Sequence, residues 1–186
     1  MKKTLLALSA LLLSQSLYAE CFQVSEKDLT VKWTAFKTPS KVGVGGAFSK
    51  FTFDGKTRST SIKDITYGLG LKIDHQSVDT SNQARDAKIA KFFFSTMKGK
   101  EILARVTKID DKNITLKVNM NGVDRDVPMN YTILGNELKA NGVIDILDFS
   151  ASKQLSAINK ACLALHEGKT WSDVNIELTA QFSSCN

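Results

Sequence analysis

The side chains that could do chemistry in this chain are few. Its only histidines are His75 and His166. A Ser–His–Asp arrangement would need one of them as base, held by a carboxylate. His75 follows Asp74 at the end of an alternating run and reads as an exposed strand-end residue. His166 lies near the end of a helical pattern, where a cation complements the helix dipole. No G-x-S-x-G motif occurs. Neither histidine has a second ligand at helical or hairpin spacing, and Asp110-Asp111 lacks the rest of a calcium loop. Gly43, Gly45 and Gly46 form a glycine-rich stretch without the spacing of a phosphate or dinucleotide loop. The Gly-Lys-Thr triplets at Gly55 and Gly168 lack the upstream glycine, so these glycines read as strand corners or bulges. The residues thus point away from catalysis, metal and cofactor, and towards binding.

The remaining reactive groups are Cys21, Cys162 and Cys185. Their meaning depends on the first segment. Met1-Lys2-Lys3 is followed by an apolar run from Leu5 to Leu13, and Leu17-Tyr18-Ala19 ends on a small residue. That pattern is a secretory signal, residues 1–19, with cleavage expected after Ala19. A membrane anchor would need a longer apolar run, and lipid attachment at Cys21 would need a small residue where Glu20 stands. The expected mature domain is then 20–186, a single periplasmic unit whose net charge falls from +6 to +4 with the loss of Lys2 and Lys3. In an oxidising compartment one disulfide and one free thiol are expected.

Most of the chain alternates with period two, as half-buried strands do. Leu29, Val31, Trp33 and Ala35 face one way. So do Phe51 and Phe53; Leu69, Leu71 and Ile73; Ile102, Ala104 and Val106; and Ile114, Leu116, Val118 and Met120. Asn121-Gly122 is a hairpin turn, and Val123, Val127 and Met129 continue beyond it. Leu138, Ala140, Val143, Ile144 and Ile146 follow Gly135-Asn136, with a bulge or kink expected at Asn141-Gly142. Val174, Ile176, Leu178, Ala180 and Phe182 form the last strand. Two segments have helical spacing, Asn82 to about Ser95 and Ser150 to His166, the second stopped by Gly168. The pattern predicts a mainly β protein, an antiparallel barrel or sandwich of about eight strands with one or two helices. An eight-stranded barrel is wide enough for packed side chains or for one small ligand, so a filled and a hollow interior both fit. The lysines are spread along outward strand faces and not gathered in a stripe, which argues against nucleic acid.

One stretch stands apart. Ser77-Val78-Asp79-Thr80 leads to Asn82, then Arg85-Asp86, then Phe92-Phe93-Phe94, so aromatic mass adjoins paired charges. These residues could cap the core, with Asp79 and Arg85 pairing at the helix end, or form an apolar pocket with a polar mouth. The stretch resembles the YceI-like family of secreted lipid-binding proteins, whose Ser-[Ile/Val]-Asp-Thr, Arg-Asp and double-Phe elements correspond to Ser77–Thr80, Arg85-Asp86 and Phe93-Phe94. Val31, Trp33, Gly46-Ala47-Phe48 and Phe53-Asp54-Gly55 resemble its opening strands. The chain departs from the family at Lys88, where histidine is frequent. Ser150–His166 and Trp171-Ser172-Asp173-Val174 are similar to a subgroup with a longer C-terminal insertion.

The resemblance implies an extended eight-stranded antiparallel β-barrel, lipocalin-like, that binds a long isoprenoid or similar amphiphile, with a homodimer as a possible assembly. A periplasmic carrier of an isoprenoid quinone, polyisoprenoid or fatty acid derivative is the leading expectation. A ligand-free assembly module and an enzyme acting on such a lipid are the alternatives, and stable membrane insertion is not expected. Trp33, Phe48, Phe51, Phe53, Leu71, Ile73, Phe93 and Phe94 are the expected apolar lining, shared with plain core. Ser77, Asp79, Asn82, Arg85 and Asp86 are mouth candidates. In an up-and-down barrel with an even strand count, the start of the first strand lies beside the end of the last. That favours a Cys21–Cys185 disulfide, with Cys21–Cys162 as the rival.

Overall fold

The computed structural model describes residues 20–185. The signal segment expected at 1–19 lies outside the described residues. In chain order the elements are β1 (Phe22–Gln23), β2 (Leu29–Lys37), β3 (Val42–Phe48), β4 (Phe51–Asp54) and β5 (Arg58–Ser59), then α1 (Ile62–Thr66), β6 (Gly70–Asp74), β7 (Val78–Asp79) and α2 (Gln83–Phe92). There follow β8 (Glu101–Ile109), β9 (Asn113–Met120), β10 (Val123–Leu134), β11 (Glu137–Asp145), α3 (Ser152–Ala161), α4 (Leu163–His166), β12 (Thr170–Gln181) and β13 (Ser183–Ser184).

Period-two alternation becomes burial. Along β9 the inward residues Ile114, Leu116, Val118 and Met120 are all buried, and their neighbours are not. The turn to β10 places both Asn121 and Gly122 at positive φ, 54° and 74°, the geometry that matches the twist of a two-residue hairpin. At Asn141-Gly142 the expected bulge is absent. Pairing runs in regular register through Met129↔Gly142 and Gly142↔Ile176. Here glycine is used for space, because a Cβ would lie 2.7 Å from Met129 Cγ.

The main sheet is antiparallel and strongly curled, a half-barrel whose pairings run β6–β8–β9–β10–β11–β12–β2–β3. A kinked pair bridges its open side. β3 continues through Ser49-Lys50 into β4, and β6 continues through a 3-10 turn at His75–Ser77 into β7. β3 pairs with β7 and β4 with β6. Between these pairs, Ser49 N–H donates to Ser77 O at 3.0 Å and Asp74 N–H to Lys50 O at 3.0 Å. With each kinked strand counted once, the circuit has eight members, as the alternation predicted. A closed circuit leaves no long edge open to other chains.

The two poles of the barrel differ. At one pole, β1 joins β13 and β5 in a small sheet, and Cys21 is bonded to Cys185 with Cα atoms 5.1 Å apart. Cys162 is free and buried, so the rival pairing is not adopted. The interior at this pole is solid: Ile65, Val106, Ile114, Met129, Leu138 and Ala140 are each no more than 1% exposed. The helices α2, α3 and α4 gather at the other pole, while α1 packs beside β5 and carries Ile65 into the solid interior. The segment expected as one helix over Ser150–His166 is two, α3 and α4, broken at Cys162. Asn121 fastens this region to the β9–β10 hairpin: its Oδ1 accepts from Lys98 N and its Nδ2 donates to Phe149 O, at 2.8 and 2.9 Å. Among the described residues, no helix is long and apolar enough to cross a membrane.

Candidate functional site

The inward faces that are packed solid at the disulfide pole diverge towards the helices and enclose a cavity of about 410 Å³. Its wall is the outer half of three neighbouring strands, with Trp33 and Ala35 from β2, Val174 and Ile176 from β12, and Ile144 from β11. These residues sit in register: Ile176 pairs with Trp33, and Val174 with Ala35. Its roof comes from Ala84 and Ile89 of α2, Leu155 and Ile158 of α3, and Leu165 of α4. Asn82 starts α2 as its cap, its Oδ1 accepting from Arg85 N at 3.0 Å, which sets the helix with Ala84, Arg85, Lys88 and Ile89 along one face towards the cavity. Asn82, Ala84 and Leu165 are both lining and exposed, and so mark where the cavity opens to solvent.

An aromatic cluster closes one side. Phe94 packs edge-on against Phe48 at 5.9 Å and against Phe93 at 5.0 Å between centroids. The ring of His75 lies flat on Phe94, 5.0 Å away. His75 is therefore not the exposed residue expected from sequence. It is 3% exposed, with Nε2 against Gly99 O and Nδ1 against Gln76 Nε2. The apolar Phe94 face covers the ring, and the turn after β6 points it inward.

Of the residues expected as apolar lining, Trp33, Phe48, Phe93 and Phe94 surround the cavity. Leu71 and Ile73 belong to the packed core, and Phe51 and Phe53 lie half-buried against it. All four sit on the kinked β4–β6 pair, which contributes no residue to the lining. Of the polar candidates, Asn82 and Arg85 reach the cavity. Ser77 serves the kink, its hydroxyl donating to Asp74 O at 2.6 Å. Asp79 accepts from Ser81 N at 2.8 Å. Asp86 accepts from both Thr80 N and Thr80 Oγ1, at 2.9 and 2.5 Å. The lining also includes Phe36, Lys37, His166 and Trp171, which sequence reasoning did not assign to a site.

Two polar features matter chemically. The Trp33 indole N–H is buried and has no hydrogen-bond partner; leaving such a donor unsatisfied costs about 1–3 kcal/mol. His166 Nδ1 lies 2.8 Å from Thr170 Oγ1. Burial, then Lys37 and Lys88, push its pKa below the ordinary 6.5. Among the described residues no cluster of three His, Cys, Asp or Glu could hold a metal ion.

The model of the YceI-like domain family matches residues 22–182. A search of curated proteins finds no match. Solved structures do match in fold. A polyisoprenoid binding domain from Saccharophagus degradans, implicated in plant cell wall breakdown, superposes with a TM-score of 0.60 at 13% identity, over 90% of this chain and 99% of that one. Burkholderia cenocepacia BcnA gives 0.58 at 18% identity, over 86% and 99%. A Campylobacter jejuni YCEI protein gives 0.53 at 18% identity, over 78% and 86%.

Proposed function

The chain belongs to the YceI-like family, and on that premise we propose that it binds a long-chain amphiphile, an isoprenoid or fatty acid derivative, in the helix-capped cavity. The observation that carries this reading is the change along the barrel from a solid core to an apolar cavity of about 410 Å³ with an exposed rim. Pockets that hold organic ligands fall in this size range, roughly 300–1,000 Å³. A dozen buried methylenes would contribute roughly 10 kcal/mol before ordering costs. The chain of the ligand lies against Trp33, Phe48, Phe93, Phe94, Ile144 and Ile176. A hydrogen-bond acceptor on the ligand would satisfy the Trp33 N–H. The polyisoprenoid binding described for the S. degradans domain supports the same class of ligand.

The protein acts as a carrier or scavenger and not as an enzyme: the Cys162 thiol and His166 both line the cavity, but the hydrogen bond of His166 Nδ1 goes to Thr170 Oγ1 and none joins it to Cys162. It works after export, with residues 1–19 as a cleaved signal and 20–186 as one periplasmic domain; the Cys21–Cys185 bond fits an oxidising compartment. The test is organic extraction and native mass spectrometry of protein purified from its own host. A bound lipid is expected, and Ala35→Trp or Ile144→Trp, which fill the cavity, should retain much less of it. Extracts that are repeatedly empty would favour an assembly module, a reading supported by the solid half of the barrel.

A further inference from the structure

We propose that the mouth of this cavity is an anion subsite, in which Lys37, Arg85, Lys88 and His166 hold the carboxylate or phosphate headgroup of the bound amphiphile. The inference rests on the lipid-binding reading and adds the chemical class of the head. Every charged or titratable side chain that lines the cavity, apart from the Cys162 thiol, is basic, and these four are the set. They come from three directions. Lys37 ends β2 and pairs across the sheet with Thr170. Thr170 is the residue that contacts His166. Arg85 and Lys88 sit one turn apart on the cavity face of α2.

None of the ion pairs among the described residues uses Lys37, Arg85 or Lys88. The carboxylates of α2, β11 and β12 near the mouth are already committed, and Glu167, next to His166 in the chain, is exposed and outside the lining. Asp173 is 2.7 Å from Lys41. Asp86 takes two bonds from Thr80, and Asp145 accepts from Leu147 N and Ser172 Oγ. Arg85 is aimed by Thr80, to which Nε and Nη2 donate at 2.8 and 3.0 Å, leaving Nη1 for a ligand. His166 is oriented as well. Asn159 Nδ2 donates to Gly168 O, so its Oδ1 accepts from the Thr170 hydroxyl, and the hydroxyl oxygen accepts from His166 Nδ1–H. Nε2 of the neutral ring is then the site that gains a proton.

Half-buried cations beside one another repel, and a low-dielectric rim strengthens that repulsion. Burial is the largest cause of the lowered pKa of His166, and repulsion from Lys37 and Lys88 follows. A headgroup oxyanion replaces that repulsion with attraction and gains charge-assisted hydrogen bonds, about twice as strong as neutral ones. An uncharged head can accept from the cationic donors but leaves their mutual repulsion in place.

The test compares probes of one chain and two heads, oleate with oleyl alcohol and farnesyl phosphate with farnesol, by titration of the full domain below micelle-forming concentrations. The anionic member is expected to bind about tenfold tighter or more, with an advantage that shrinks as salt is added. In Lys37→Gln/Lys88→Gln, shown folded by its melting curve, that ratio should fall towards one. In Lys117→Gln, on the outer face of β9, it should stay. Equal binding of the two heads by the wild-type protein overturns the subsite and leaves lipid binding standing. Binding of neither overturns both. Inorganic phosphate that binds alone and displaces farnesyl phosphate competitively would mark a free-anion site and overturn the headgroup assignment.

Discussion

Gly46 lies directly across the β2–β3 ladder from Trp33, and a Cβ there would fall 2.4 Å from the indole Cζ2 and 2.8 Å from Cε2. Thr80 Cγ2, at 2.9 Å, blocks the other way out. The indole has its place in the cavity wall because position 46 has no side chain. Gly46→Ala should therefore shift the Trp33 ring into the cavity. Overpacking of this kind destabilises by about 1–3 kcal/mol. Urea unfolding should show that loss, and Trp fluorescence in the folded state should shift. An unchanged emission maximum would mean that the ring is not held by this contact.

Thr80, Arg85 and Asp86 form one unit at the start of α2. Asp86 accepts from the Thr80 N–H and hydroxyl, and Thr80 in turn accepts from Arg85 at its hydroxyl and its carbonyl. Asp86→Ala leaves the N–H of the buried Thr80 without its acceptor. A loss of about 1–3 kcal/mol is expected, measured by chemical denaturation. Arg85→Ala, whose side chain is only half-buried, should cost less stability than Asp86→Ala. The reverse order would show that the guanidinium, and not the carboxylate, organises the turn.

His166 gives stability a pH dependence of known sign. Its folded-state pKa lies below 6.5, through burial and the charges of Lys37 from β2 and Lys88 from α2. Thr170 on β12 meets the ring as a neutral partner, and Glu167 beside it in the chain is exposed. The unfolded chain then binds the proton more readily, so this contribution to stability falls as pH drops through 6.5 and levels off below the folded pKa. His166→Gln should flatten that part of the profile of melting temperature against pH. Bound oleate, if it sits at the mouth, should flatten it too by restoring proton affinity.

Removing the disulfide with Cys21→Ser/Cys185→Ser opens a closure between positions 164 residues apart. A loss of roughly 2–5 kcal/mol is expected. Because the bond lies at the pole away from the cavity, lipid affinity below the melting transition should be retained. Loss of binding in a folded variant would show that the two poles are coupled.

Much of this architecture was legible because its causes are local. Alternation at Ile114–Met120 can be satisfied only by a strand with one buried face, Asn121-Gly122 only by a tight turn, and an even barrel brings Cys21 to Cys185. The site was less legible because it depends on depth along the barrel. Trp33 and Leu71 occupy equivalent inward positions in their strands, yet one lines a cavity and the other packs in the core. Nothing in their spacing says which end the helices will hold open. Ala35, Ile144 and Ile176 were already placed in alternating strands; what was missing was the pole at which each lies. His75 was misread because its burial comes from Phe94, a distant partner. Lys37 and His166 looked like surface charges until the pairing of Lys37 with Thr170 brought them together.

The Cys21–Cys185 bond also decides how the molecule can be handled. Leu29–Lys37 is nine residues of strand, about 30 Å of rise at roughly 3.3 Å each, and both described ends of the chain sit at its far end from the mouth. A tether, fluorophore or resin attached near residue 20 or 185 therefore leaves the opening facing outward. An immobilised array of this barrel would present its mouths in one orientation to whatever flows over it.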